Sequence, residues 1–263
     1  MPRRSKPRDL YEWAQNAHSV WTTFGNSKAA EASEGMPVRP TPFPHFNAPT
    51  SLKEDESVLV IPELASTVTI GVELACRVLA RGERLSKEEA QELIASYHVF
   101  VAVRDSSHYE YALQMSNFPH YGKADDPTWD IDYQVPQAWA DGFNIVSKAG
   151  RDVEKGFPEN AEMRLELAGR KGVRTNTSEY VHRFASVMSV ITKFVCVDQG
   201  DVITLGRAGD VITLFPGKNL PKDAKLTASI AGVGRLAINV IDLRSADNYY
   251  TRSRKGASAG AFV

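Results

Sequence analysis

The densest collection of proton-transfer groups in the chain is the run Arg104-Asp105-Ser106-Ser107-His108-Tyr109-Glu110. It holds two carboxylates, a fixed cation and His108, the side chain type whose unperturbed pKa lies nearest neutral. Asp105 and His108 are therefore candidate acid–base residues, with Arg104 and Glu110 as candidate substrate contacts. A solvated polar loop has the same composition. Ser106 and Ser107 do not form a nucleophilic triad with His108, because no strained GxSxG elbow is present and sequence neighbours rarely point at one another. His98 sits in an apolar run and is expected to be a hydrogen-bonded core histidine. Glu73, Asp105 and His108 make at best a weak metal set. Gly232-Val233-Gly234 precedes a strand and lacks the third glycine of a dinucleotide fingerprint.

These residues have to be positioned by a largely β-rich scaffold. Residues 57–61, 68–79 and 97–103 are β-rich runs, and 163–167 alternates apolar and polar as a half-buried strand does. From 195 to 241 the pattern is strand after strand with Gly-Asp turn signals, and the hexapeptide Gly-Asp-Val-Ile-Thr-Leu occurs at 200–205 and again at 209–214. Two strands with like turns explain that repeat better than a solenoid does. Helix is expected over part of 8–32, over 86–96, where Ser86 and Glu89 spell a capping box, and along the apolar stripe of 180–191. Prolines 37, 40, 42, 44 and 49 forbid helix in their stretch. Residues 105–135 lack any period and read as a long irregular insertion, the kind of loop that borders a ligand site.

Composition excludes several classes. With 263 residues, a formal charge of −1 and 43% apolar residues, the chain has neither the basic excess of a nucleic-acid binder nor the composition of a disordered one. No stretch approaches the ~18 apolar residues of a membrane span and no h-region follows the basic start, so a cytosolic location is expected. The two cysteines, Cys76 and Cys196, lie in apolar runs and are expected to be buried thiols.

Longer patterns carry a resemblance. Residues 197–206 (Val-Asp-Gln-Gly-Asp-Val-Ile-Thr-Leu-Gly), followed by 230–236 (Ile-Ala-Gly-Val-Gly-Arg-Leu), resemble the GDvIlTGTP turn and ieGiG-l strand of the fumarylacetoacetate hydrolase superfamily. Upstream, Gly25-Asn26, Glu34-Gly35-Met36-Pro37 and 46–52 are similar to its NYxxHxxE…P…FxKPpsal pattern, 71–75 to its ExELavV strand, and 139–143 to KsfDgf. The resemblance implies an α+β, β-rich fold, a twisted sheet or β-roll with flanking helices, often homodimeric. It divides the chain into an N-terminal segment 1–23, a single domain 24–242 and a tail 243–263. In the family, two strand glutamates and a third carboxylate form an oxygen site for a magnesium-type ion that grips a dicarbonyl substrate.

This chain departs from that pattern. The ligand positions fall on Gly71, on Glu73 and at or near Ala102, so Glu73 is the only retained carboxylate and magnesium is not expected to bind tightly. The family's histidine falls at Ala30 and its lysines at Ala48 and Ala138, whereas a threonine of the GTP turn becomes Arg207, a cation suited to a carboxylate. The resemblance thus implies an enzyme acting on a small anionic, dicarbonyl or enol substrate, as a C–C hydrolase, lyase or isomerase without the metal. Glu73 would share catalysis with Asp105 and His108, and Arg207, Arg104, Glu110 and Asp141 would hold substrate. A non-catalytic binding relative, and an ordinary magnesium hydrolase with shifted ligands, are the alternatives. No nucleic acid, membrane or further cofactor is expected.

Overall fold

A computed structural model describes residues 19–30, 38–55, 57–63, 65, 67–105, 142–215 and 220–244. His108, Glu110 and Asp141 lie outside the described residues, as does almost all of the expected insertion.

The apolar runs form strands that pair into two sheets. The larger has the order β2 (Phe43–Asn47), β1 (Val20–Phe24), β10 (Val202–Arg207), β5 (Val68–Val78), β6 (Ile94–Asp105), β7 (Asn144–Asp152), β3 (Leu52–Glu54), with β11 (Ile212–Leu214) on the far half of β5. It curls into a half-barrel. The smaller has the order β4 (Val58–Ile61), β13 (Gly234–Asp242), β12 (Ala224–Ile230), β8 (Glu162–Leu167), β9 (Val173–Asn176). Among the described residues, the short helices α1 (Lys87–Glu92) and α2 (Phe184–Ile191) flank them. The capping box predicted at Ser86 and Glu89 is present, but α1 ends earlier than the expected 96 because Ile94 already belongs to β6.

Strand alternation sorts each long strand into two faces. Ile70, Val72 and Leu74 of β5 and Val99, Val101 and Val103 of β6 face the smaller sheet, whose Leu165, Leu226, Ile238 and Leu59 meet them in the main core. The opposite face of the half-barrel carries a smaller apolar cluster of Val20, Leu52, Ala75, Phe100, Ala102, Val146 and Val202. Polar side chains ring that cluster. His98 is among them and is the core histidine expected: its Nδ1 lies 2.8 Å from the Ser147 carbonyl and its Nε2 2.7 Å from Ser96 Oγ.

Within 8–32, the stretch expected to be helical in part, residues 28–30 are helical and 20–24 form β1. The segment Val-Trp-Thr-Thr-Phe is β-branched and aromatic, and pairing with β10 outweighs its local ambiguity. Cys76 is buried, but Cys196 is only half-buried; its thiol donates to Glu83 Oε2 at 3.1 Å and accepts from Arg81. Among the described residues no helix is long and apolar enough to cross a membrane.

Candidate active site

The second face of the half-barrel brings its polar side chains together through register. Antiparallel pairing sets Gly71 opposite Ala102, Thr69 opposite Arg104 and Glu73 opposite Phe100, so Thr69, Gly71, Glu73, Ala102 and Arg104 share one face. Alternation sends Asp105 to the other face, so it is separated from Glu73 and Arg104 although it is sequence-adjacent to Arg104. On the other side of β5, a bulge in β10 after Thr204 resets the register so that Arg207 pairs with Glu73. Gly206 makes that bulge possible: its φ is +79°, and a Cβ there would stand 1.9 Å from the Thr23 carbonyl oxygen. Tyr180 Oη pins the bend, donating to the Gly206 carbonyl at 2.8 Å and accepting from the Leu74 N–H at 3.1 Å.

Glu73 is 1% exposed. Its Oε2 accepts from Thr204 Oγ1 at 2.5 Å, and its Oε1 lies 3.9 Å from Arg104 Nη2. Burial pushes the carboxyl above its ordinary range, and the Arg104 charge, the Thr204 hydrogen bond and the Arg207 charge pull against that. Arg104, 3% exposed, was expected to open a loop but is the penultimate residue of β6. Burial brings its pKa down to about 10, with Glu73 raising and Arg207 further lowering it, so it remains a cation at neutral pH. Its Nη1 donates to the Val103 carbonyl at 3.0 Å and to Asn144 Oδ1 at 3.4 Å, while Nη2 donates to Thr22 Oγ1 at 3.4 Å.

A second tier of groups holds these in place. Asn144 Nδ2 donates to Ser51 Oγ at 2.7 Å, and Asn47 Nδ2 donates to Thr22 Oγ1 at 2.8 Å. His45 stands opposite Thr22 on β2 and packs edge-on against the rings of Phe24 and Phe43. Burial first, then the Arg104 and Arg39 charges, lowers its pKa to about 4, so the imidazole is neutral at physiological pH. Arg207 is half-buried and donates to Thr69 Oγ1 at 3.3 Å. Thr22, His45, Asn47, Asn144 and Thr204 were not singled out from sequence. No local pattern in 20–24 or 43–47 marks the first three.

Among the described residues this site has one carboxylate, two guanidiniums and a neutral imidazole around an apolar floor. Two guanidiniums beside one carboxylate can attract an anion and can stabilise an oxygen that gains negative charge. The comparisons agree in class. The family model "Fumarylacetoacetate (FAA) hydrolase C-terminal" matches residues 19–241, and the chain belongs to that superfamily. An uncharacterised protein of Pyrococcus abyssi is 24% identical over 215 residues, covering 81% of this chain and 84% of the relative. A 4-hydroxyphenylacetate degradation bifunctional isomerase/decarboxylase of Salmonella dublin is 22% identical over 240 residues; the match takes in 90% of this chain but only 50% of that protein. Fumarylpyruvate hydrolase from Pseudomonas aeruginosa, solved with Mn2+ and pyruvate, superposes with a TM-score of 0.65 at 18% identity, covering 86% of this chain and 90% of that one. The half-barrel fold is therefore the family's, as the sequence patterns implied.

The family's divalent ion does not fit the residues present. By the sequence resemblance two of the three ligand positions fall at Gly71 and at or near Ala102, which pair across β5 and β6 and whose side chains carry no oxygen. The remaining carboxylate is already engaged by Thr204 and Arg104. Among the described residues no three His, Cys, Asp or Glu side chains come together.

Proposed function

We propose that the protein is a small-molecule enzyme of the fumarylacetoacetate hydrolase superfamily acting on a dicarbonyl or enol-bearing anion, as a C–C hydrolase, lyase or isomerase. The observation that supports it most is the coincidence of Glu73, Arg104 and Arg207 on the half-barrel face where the family patterns place substrate chemistry. Glu73 is the catalytic carboxylate of this reading, Arg104 and Arg207 hold the anion, and His45 is a neutral imidazole within the field of Arg104. His108 as an acid–base residue and Glu110 and Asp141 as substrate contacts remain proposals from the sequence, whereas Asp105, on the opposite face of β6, is left out of this cluster.

A specific observation favours a binding protein instead: the family's histidine and one lysine fall on Ala30 and Ala48, which carry no proton to transfer. Incubation with a panel of acylpyruvates and enolisable 2-oxo dicarboxylates, followed by ultraviolet loss of the enol band, separates the two. Turnover of any member that is lost in Glu73→Gln supports the enzyme. Saturable binding with no turnover across the panel supports the binder. A homodimer is proposed from the resemblance, and light scattering giving a mass near 29 kDa at all concentrations refutes it.

A further inference from the structure

The two arginines lie beside Gly71 and Ala102. A Cβ placed on Gly71 would lie 3.4 Å from Arg207 Cγ and 3.7 Å from Arg207 Cδ, so the arginine stem runs over the spot from which a ligand side chain would rise. Ala102 faces Gly71, and Arg104 follows it two residues along the same face. The Arg104 guanidinium stands 3.9 Å from Glu73 Oε1, outside hydrogen-bond range, and its contacts to Asn144 and Thr22 are both at 3.4 Å, near the limit of a hydrogen bond. Its Nη1 also donates to the Val103 carbonyl at 3.0 Å, so it is a buried cation beside one carboxylate, on a fork whose geometry matches two adjacent ligand oxygens.

Charge gives the same result. Three carboxylates and a divalent ion sum to minus one, whereas Glu73 with Arg104 and Arg207 sums to plus one when the carboxyl is ionised. Arg207 and Thr69 are half-buried, whereas Glu73 and Arg104 are buried. An anion coming from solvent would therefore meet Arg207 before Arg104.

We propose that Arg104 does the work of a divalent cation in this chain. Its guanidinium, with the half-buried Arg207, receives the carboxylate and adjacent carbonyl of a 2-oxo acid without any metal. This rests on the reading of the site given above and narrows its chemistry. A bound divalent ion acidifies a coordinated water, whereas a guanidinium has no coordination position to offer one. What remains is stabilisation of an enolate. In a keto–enol isomerisation the carbon-bound proton passes to a base, its electron pair forms the C=C bond and moves the carbonyl pair onto the oxygen facing Arg104, and the proton returns to that oxygen. Atoms and electrons balance with no co-reactant. The site is that of an isomerase rather than a hydrolase.

The test is calorimetric titration of pyruvate and of oxalate, a planar stand-in for an enolate, into the protein in excess EDTA. Both should bind. Arg104→Met should weaken oxalate about ten- to hundredfold, the loss of charged hydrogen bonds, and Arg104→Lys should keep the fold and recover part of the affinity. Arg207→Met should cost less, since Arg207 is less buried. Oxalate binding that disappears in EDTA and returns with Mg2+ or Mn2+, no binding under either condition, or an Arg104→Met protein that melts like the wild type and binds oxalate equally well, would each overturn the proposal. Metal-dependent turnover of the panel sinks the guanidinium site but leaves the enzyme standing. Chelator-insensitive oxalate binding with no turnover does the reverse.

Discussion

His98 should make the fold acid-sensitive, and the size of the effect can be worked from its surroundings. The ring is 0% exposed, and because a carbonyl only accepts, the contact with the Ser147 oxygen fixes Nδ1 as the protonated nitrogen and leaves Nε2 to accept from Ser96. A second proton would have to be carried in the interior, near the buried Arg77 charge, and burial first and Arg77 second lower the pKa from 6.5 to about 3. Between those values the unfolded chain binds the proton and the folded chain refuses it. Stability contributed by the neutral ring is therefore intact above pH 6.5 and is lost as pH falls toward 3. At about pH 4.5 two units of the gap have been crossed, on the order of 3 kcal/mol at 1.4 kcal/mol per unit, against a typical total of about 5–15 kcal/mol. Urea unfolding at half-unit steps from pH 7 to 4 measures it. His98→Gln can donate to Ser147 but cannot titrate, so it should cost about 1–3 kcal/mol at pH 7 and flatten the slope by about 1.4 kcal/mol per pH unit between pH 6 and 4. Equal slopes in the two proteins would show that His98 is protonated in the folded state and that its burial has been misread.

Other outcomes can be checked as directly. Gly206→Ala meets both a left-handed backbone and the Thr23 carbonyl, so it should destabilise by more than about 3 kcal/mol or give no folded protein, read by thermal melting. Tyr180→Phe removes the hydroxyl shared by Leu74 and Gly206 and should cost about 1–3 kcal/mol in urea, with no change in the far-ultraviolet spectrum. Millimolar Mg2+ should leave the melting temperature unchanged, since a ligand at a hundredfold excess over its Kd would add about 2.7 kcal/mol and several degrees. A clear metal-dependent rise would contradict the loss of ligands at Gly71 and Ala102.

How much of this was legible from the sequence differs by residue. Glu73 could be placed because the apolar run around it and its family pattern agree, and β5 forms where that run predicts. The strands after 195 were readable from their turn signals alone, as was α1 from its capping box. Arg104 was misplaced because a charged residue at the end of an apolar run looks like the first residue of a loop. Only the pairing of β5 with β6 shows it buried within reach of Glu73. Arg207 could be read as a solvated turn residue, since nothing local announces the bulge that turns it toward Glu73. Thr22, His45 and Asn47 were invisible for a different reason. Their place in the site depends on β1 lying beside β10, a parallel contact of high sequence separation that no local pattern encodes.

That same strand order governs how the molecule can be made. β10 is the wedge between β1 and β5, so the β1–β2 hairpin has no partner until residue 207 has been synthesised. The first half of the sheet leaves the ribosome with the backbone edge of β5 open, and it waits for about 120 residues, on the order of 10 s at ordinary translation rates. An open edge in so apolar a strand invites pairing with another chain. Closing it late also gives the pairing that completes the site a large loop-closure cost, which places the protein among slow folders. Production of this chain should therefore be limited by capture of the nascent half-sheet, and slower synthesis at lower temperature or a chaperone that shields the β5 edge should raise the yield of folded protein more than any stabilising change in the finished core.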